Sequence, residues 1–105
     1  MAGVRIQEAA SRRLDEIWRH SQVRWGTPQA DSYINGLFSV FHKIGTPEVM
    51  SRPVPAAFGV DGYVCRFKHH FIYWRPLGNG DIGIVTILHE RMHQIARFQE
   101  DIGIG

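Results

Sequence analysis

Six histidines in a chain of 105 residues invite a search for metal or acid–base chemistry. His89 and His93 lie four apart with Glu90 directly after the first, so the segment His89-Glu90-Arg91-Met92-His93 meets the H-E-x-x-H pattern in form. On one helix that spacing would set both imidazoles on one face, with a third ligand supplied from elsewhere. Here His89 closes an apolar run with the character of a strand, and no third ligand with a supporting motif follows. The plainer reading is a group of polar residues at a strand-to-helix junction, with no metal and no other cofactor. Cys65 falls inside a predicted strand, where a free thiol packs as a small hydrophobe. Neither a nucleophile elbow nor a phosphate-binding or dinucleotide-binding glycine pattern occurs. A metal-free ribonuclease is a third possibility. Arg66, Arg75 and Arg91 could hold phosphates, His89 or His93 could act as general acid or base, and Phe71, Tyr73 and Trp74 could stack on bases. Against it, Phe71 and Tyr73 also suit the interior of a sheet, and Arg66 and Arg75 are equally readable as solvated charges.

The elements that must position these residues divide into a helical first half and a strand-rich second half. Val4-Arg5-Ile6 reads as a short opening strand. Ala10, Leu14, Ile17 and Ser21 trace one face of a helix from about Glu8 to Arg24, with Arg12, Arg13, Asp15, Glu16 and Arg19 mostly on the remainder. Gly26 ends it, and Thr27-Pro28 reads as the N-cap and first residue of a second helix. Ala30, Tyr33, Ile34, Leu37, Phe38, Phe41 and Ile44 form a broad apolar stripe before Gly45, so the two helices should make an antiparallel hairpin. From Gly45 to Gly62, Pro47, Pro53, Pro55 and Gly59 predict irregular backbone. Strands are expected at Tyr63 to Lys68, Phe71 to Arg75 and Ile82 to His89, with turns at His69-His70 and Leu77 to Asp81. The third run is apolar enough for a covered strand. A final helix is expected from Glu90 to Glu100, with a frayed tail from Asp101 to Gly105. The order β-α-α-β-β-β-α implies an α+β domain, a helical hairpin packed on a small, mainly antiparallel sheet.

Composition sets the bounds. With 44% hydrophobic and 21% charged residues, the chain has room for one folded domain, residues 1–105, and is not a disordered one. No apolar run reaches the ~20 residues of a membrane span, and the first residues are too short and too charged for a signal peptide. A lone cysteine fits a reducing cytoplasm. The net charge of +2 says little, but Gly62 to Gly80 contains no acid while holding Arg66, Lys68, Arg75, His69 and His70. That segment is the candidate binding surface.

The chain resembles the ParE branch of the ParE/RelE toxin superfamily of bacterial type II toxin–antitoxin modules. The resemblance runs from about Ala9 to His93. It rests on Ala10, Leu14-Asp15-Glu16-Ile17-Trp18, Trp25-Gly26, Gln29-Ala30, Tyr33-Ile34, Leu37 and Phe41 in the hairpin. On the sheet it rests on His70, Ile72-Tyr73, Ile84 and, most specifically, Ile87-Leu88-His89-Glu90-Arg91-Met92. Two positions depart from the family's habit: Tyr63 rather than an arginine follows Gly62, and His93 replaces an aspartate after Arg91-Met92. What the resemblance implies is a growth-arresting, plasmid-stabilising toxin that is not an enzyme, inhibits DNA gyrase and is neutralised by a cognate antitoxin. That antitoxin would be ParD-like, with an acidic C-terminal segment, and the hetero-oligomeric complex would bind operator DNA through it. His89, Arg91, Met92 and His93 would then contact the target. Arg66, His70, Tyr73, Trp74 and Arg75 would line the sheet face that takes the antitoxin. The RelE branch implies the alternative, cleavage of messenger RNA by metal-independent acid–base chemistry, with His89, Arg91, His93 and Arg66 in the catalytic parts.

Overall fold

The computed structural model describes residues 3–103. β1 (Val4–Ile6) leads into α1 (Glu8–Trp25), and α2 (Thr27–Lys43) follows after a single residue. Gly26 permits so sharp a reversal, because its φ of 92° is one that an L side chain rarely adopts. The cap of α2 is therefore Gly26 rather than Thr27, and Thr27 and Pro28 occupy its first turn. After α2 come β2 (Arg52–Pro53), a 3-10 turn at Ala56–Phe58, β3 (Tyr63–Phe67), β4 (His70–Pro76), β5 (Ile82–His89) and α3 (Gln94–Ile102). The expected α+β architecture holds, and β2 is an addition to it. Its two residues pair with Val64 and Tyr63 at the sheet edge, where a proline can be tolerated.

The sheet runs β1-β5-β4-β3-β2, antiparallel except for the short β1/β5 pair. The turn between β3 and β4 is Lys68-His69, one residue earlier than expected, and His70 already pairs with both Phe67 and His89. Lys68 accepts a left-handed φ of 49° to close it.

Alternation along the strands divides the interior in two. Cys65, Ile72, Trp74, Ile82, Ile84 and Ile87 pack under Ala10, Leu14, Leu37 and Phe41 of the hairpin. Val64, Tyr73 and Leu88 face the other way and pack with Phe58 and Phe98 of α3. One irregularity serves both faces. Tyr73 pairs with Thr86 but Trp74 pairs with Ile84, so Val85 is an extra residue in β5. Such a bulge re-aims the side chains beyond it. It lets Ile84 and Ile87 share the hairpin face while Thr86 turns to α3 and donates a hydrogen bond to Asp101 Oδ2 at 2.7 Å.

The chain's last turns differ most from expectation. The helix begins at Gln94 because the His93 side chain caps it, accepting from the Ala96 N–H at 3.2 Å, while residues 90–92 form a turn. Asp101 and Ile102 are not frayed: they complete α3, with Gly103 at φ 82° after them. Ile104 and Gly105 lie outside the described residues. The side chain of Asp101 is buried and takes two hydrogen bonds from Arg13, through Nε at 3.0 Å and Nη2 at 2.9 Å. Arg13, expected on the open face of α1, is thus the tie between the hairpin and the C-terminal helix. No described helix is long and apolar enough to cross a membrane.

Candidate functional site

The β3–β4 turn and the end of β5 come together beside the C-terminal half of α1 and the start of α2. Between them lies a groove of about 850 Å³. Its floor includes Ile17, Tyr33, His70 and Ile87, and its rim carries His20, Arg24, Trp25, Lys68, His69, His89, Arg91 and Met92. The fold supplies each for a local reason. His89 is the last residue of β5, paired with His70 across the ladder. Lys68 and His69 stand out because they form the turn. Trp25 ends α1 and is 61% exposed, unusual for its size.

Three imidazoles crowd the sheet end of the groove. The His70 and His89 rings meet edge-on at 5.1 Å, and the His69 and His89 rings lie nearly parallel at 6.3 Å. Burial, with the neighbouring His89 adding to it, pushes the His70 pKa down to about 4, so His70 is neutral near pH 7. The Tyr33 hydroxyl, 2.6 Å from His70 Nδ1, then donates to it, and burial raises the Tyr33 pKa. Burial also lowers the His89 pKa, and His89 Nδ1 accepts the Arg91 backbone N–H at 3.1 Å. At the rim, Glu90 bonds to His69 Nδ1 at 2.8 Å and to the Arg66 guanidinium, contacts that hold its carboxyl below the usual range, the His69 bond foremost. The outcome is an imidazole oriented by a carboxylate that is itself held by an arginine, beside the cations Lys68 and Arg91. Such a site can hold anions and orient a proton acceptor. Among the described residues no three side chains are placed to share a metal.

Not every residue singled out from sequence belongs to this site. His70, His89, Arg91 and Met92 line the groove, and Arg66 stands behind it through Glu90. His93 is exposed but spends its Nδ1 on the cap of α3. The expected sheet-face set does not form one surface. Tyr73 is 3% exposed in the second core with its hydroxyl donating to Gln94 Oε1, and burial pushes its pKa up to about 12. Trp74 is 8% exposed on the hairpin side, donating to Ser51 Oγ at 3.0 Å. Both are interior residues because both faces of the sheet are covered, which the sheet-face expectation left out. Arg75 is exposed, but in a separate hollow of about 430 Å³ beside Tyr63, Trp74 and Phe98. The residues missed are His20, Arg24, Trp25 and Tyr33, all from the helices, whereas Lys68 and His69 belong to the acid-free segment singled out from the sequence. The only sequence signal of those four is type, above all a tryptophan at a helix end.

Comparison with known proteins places this geometry. The model of the family described as ParE toxin of type II toxin–antitoxin system, parDE, matches residues 4–94. The chain belongs to the ParE toxin family. The match runs from β1 to the first residue of α3, so the whole groove lies inside it. Toxin ParE1 of Mycobacterium tuberculosis is 30% identical over 88 residues, covering 83% of this chain and 88% of that one. Toxin ParE1 of Caulobacter vibrioides is 29% identical over 94 residues, covering 89% and 94%. A chain from a chromosomal ParDE TA system of P. aeruginosa superposes with a TM-score of 0.59 over 85% of this chain and 96% of that one. At 16% identity it supports the ParE fold alone.

Proposed function

We propose that this ParE-family toxin arrests growth by inhibiting DNA gyrase in the cytoplasm, without catalysis or cofactor, and that a cognate antitoxin neutralises it. The observation that carries the reading is family membership combined with the Ile87–Met92 segment. There the apolar end of β5 gives way to an exposed Arg91 and half-buried His89 and Met92, all at the mouth of a cationic groove. A segment anchored in the core by Ile87 and Leu88 presents its polar end with little freedom left to lose on binding. Arg91, Met92 and His89, with His93 at the start of α3, are the proposed target contacts. Arg66 and His70, with Arg75 on the neighbouring hollow, are proposed for the antitoxin, an acidic chain that would meet complementary charge. The antitoxin would also carry the hetero-oligomeric complex to operator DNA.

The test is expression without antitoxin, followed by comparison of DNA synthesis, translation and transcript integrity. DNA synthesis should stop first, with transcripts intact, and Arg91→Ala should relieve the block. Early transcript cleavage abolished by His89→Ala would instead assign the chain to the ribonuclease branch.

A further inference from the structure

The segment from Gly62 to Gly80 holds no acid of its own, yet two of its side chains already grip a carboxylate. Arg66 Nη2 donates to Glu90 Oε1, and His69 Nδ1 lies 2.8 Å from Glu90 Oε2. Each carboxylate oxygen thus meets a different residue of the β3–β4 hairpin. That is the geometry of a carboxylate-binding fork, and the chain fills it from outside the hairpin, with the residue that follows β5.

The fork does not owe its shape to Glu90. Arg66 Nε donates to the Lys68 carbonyl at 2.8 Å, and the guanidinium lies 5.3 Å from the Phe71 ring centre. The His69 ring lies nearly parallel to that of His89 at 6.3 Å. The Glu90 backbone N–H donates to the His69 carbonyl at 2.8 Å, so the two turns stay together when the carboxylate leaves. The Arg66 and His69 side chains are 55% and 68% exposed, within reach of a carboxylate from solution. Exposed ion pairs are weak, so one carboxylate can exchange for another there.

We infer, building on the acidic antitoxin proposed above, that Arg66 and His69 receive a carboxylate of that partner's segment, and that Glu90 is the internal competitor it displaces. Held on the same chain, Glu90 competes at a high effective concentration. A small anion offers the fork nothing that Glu90 does not. An acidic peptide that also contacts the adjoining groove offers more, and it takes the fork. Glu90 is thereby a specificity-determining residue that weakens every anion at this position and rejects those with a single carboxylate.

Fluorescence anisotropy of labelled hexaglutamate, with hexaglutamine as the neutral control, tests this on the purified full chain. The same titration is run on Glu90→Gln, on Arg66→Gln and on the double variant. Removing the competitor should tighten hexaglutamate binding about three- to fivefold. The gain should vanish when Arg66 is also replaced, because the two substitutions then act on one contact. Asp15→Asn removes the same charge from the exposed face of α1, away from the fork, and should gain less than about 1.5-fold after screening by salt. No gain from Glu90→Gln, a gain that persists without Arg66, or one that Asp15→Asn matches would overturn the inference and leave the acidic partner standing. Absence of saturable hexaglutamate binding to every form, or equal binding of hexaglutamine, would sink both.

Discussion

Asp101→Ala removes the acceptor at the centre of the tie between α1, β5 and α3. The Asp101 side chain is 4% exposed and that of Arg13 only 12%. The carboxylate takes Arg13 Nε at 3.0 Å, Arg13 Nη2 at 2.9 Å and Thr86 Oγ1 at 2.7 Å. Removing one partner of a buried ion pair costs about 3–5 kcal/mol when the other is left alone. Arg13 keeps Glu16 at 3.0 Å, which pulls the figure toward the lower end. The Thr86 hydroxyl, fully buried, loses its acceptor, a penalty of about 1–3 kcal/mol. Because the two effects overlap, about 3 kcal/mol is the expected loss, a large share of the 5–15 kcal/mol typical of a domain. Urea and thermal unfolding should show it, with Tm lower by roughly 15 °C. Arg13→Met combined with Asp101→Leu should lose less than Asp101→Ala alone, since an apolar pair leaves no orphaned charge. A loss under about 0.5 kcal/mol for Asp101→Ala would refute this account of how α3 is held.

Three further outcomes follow from the same structure. Gly36→Ala places a Cβ 2.5 Å from the Phe67 ring tip. It should therefore destabilise by about 1–3 kcal/mol despite alanine's better helix propensity, with Phe67→Leu restoring much of the loss in thermal melts. His70, with a pKa near 4 in the fold against about 6.5 unfolded, binds fewer protons folded than unfolded. Its contribution is present above pH 6.5 and lost as pH falls toward 4, about 2 kcal/mol after allowing for its partial exposure, and His70→Phe should flatten that slope in denaturant titrations. Burial pushes the Cys65 thiol up to about 11, so an aromatic disulfide reagent at pH 8 should label it only after unfolding, and rapid labelling of the native protein would count against its place in the core.

Much of the architecture was legible because it is written in local spacing. The steps between Ala10, Leu14 and Leu37, Phe41 mark helix faces, and the apolar run Ile82 to His89 marks a covered strand. What escaped depends on partners distant in the chain. Arg13 reads as a surface charge until Asp101, 88 residues away, is brought beside it. The Val85 bulge shows only in the register of β5 against β4, and the two-residue β2 exists only by pairing with β3. The start of α3 turned on one side chain, since His93 can be a helical residue or a cap and the structure makes it the cap. At the site, the Ile87–Met92 segment was recognisable as contiguous sequence. Trp25, Tyr33 and Lys68 join it through the crossing of hairpin and sheet, which no window of sequence contains. Tyr73 suited the sheet interior as well as a binding face, and Trp74 a binding face; both are interior because α3 covers one face of the sheet and the hairpin the other.

Gyrase is the proposed target of this ParE-family chain. A supercoiling assay with purified gyrase, relaxed plasmid and rising amounts of the full chain tests it most directly, with the cognate antitoxin added back in a parallel series. Supercoiling should fall as toxin is added and recover on addition of antitoxin, with Arg91→Ala needing at least tenfold more protein for the same effect. Undiminished supercoiling at large molar excess of folded toxin would contradict it.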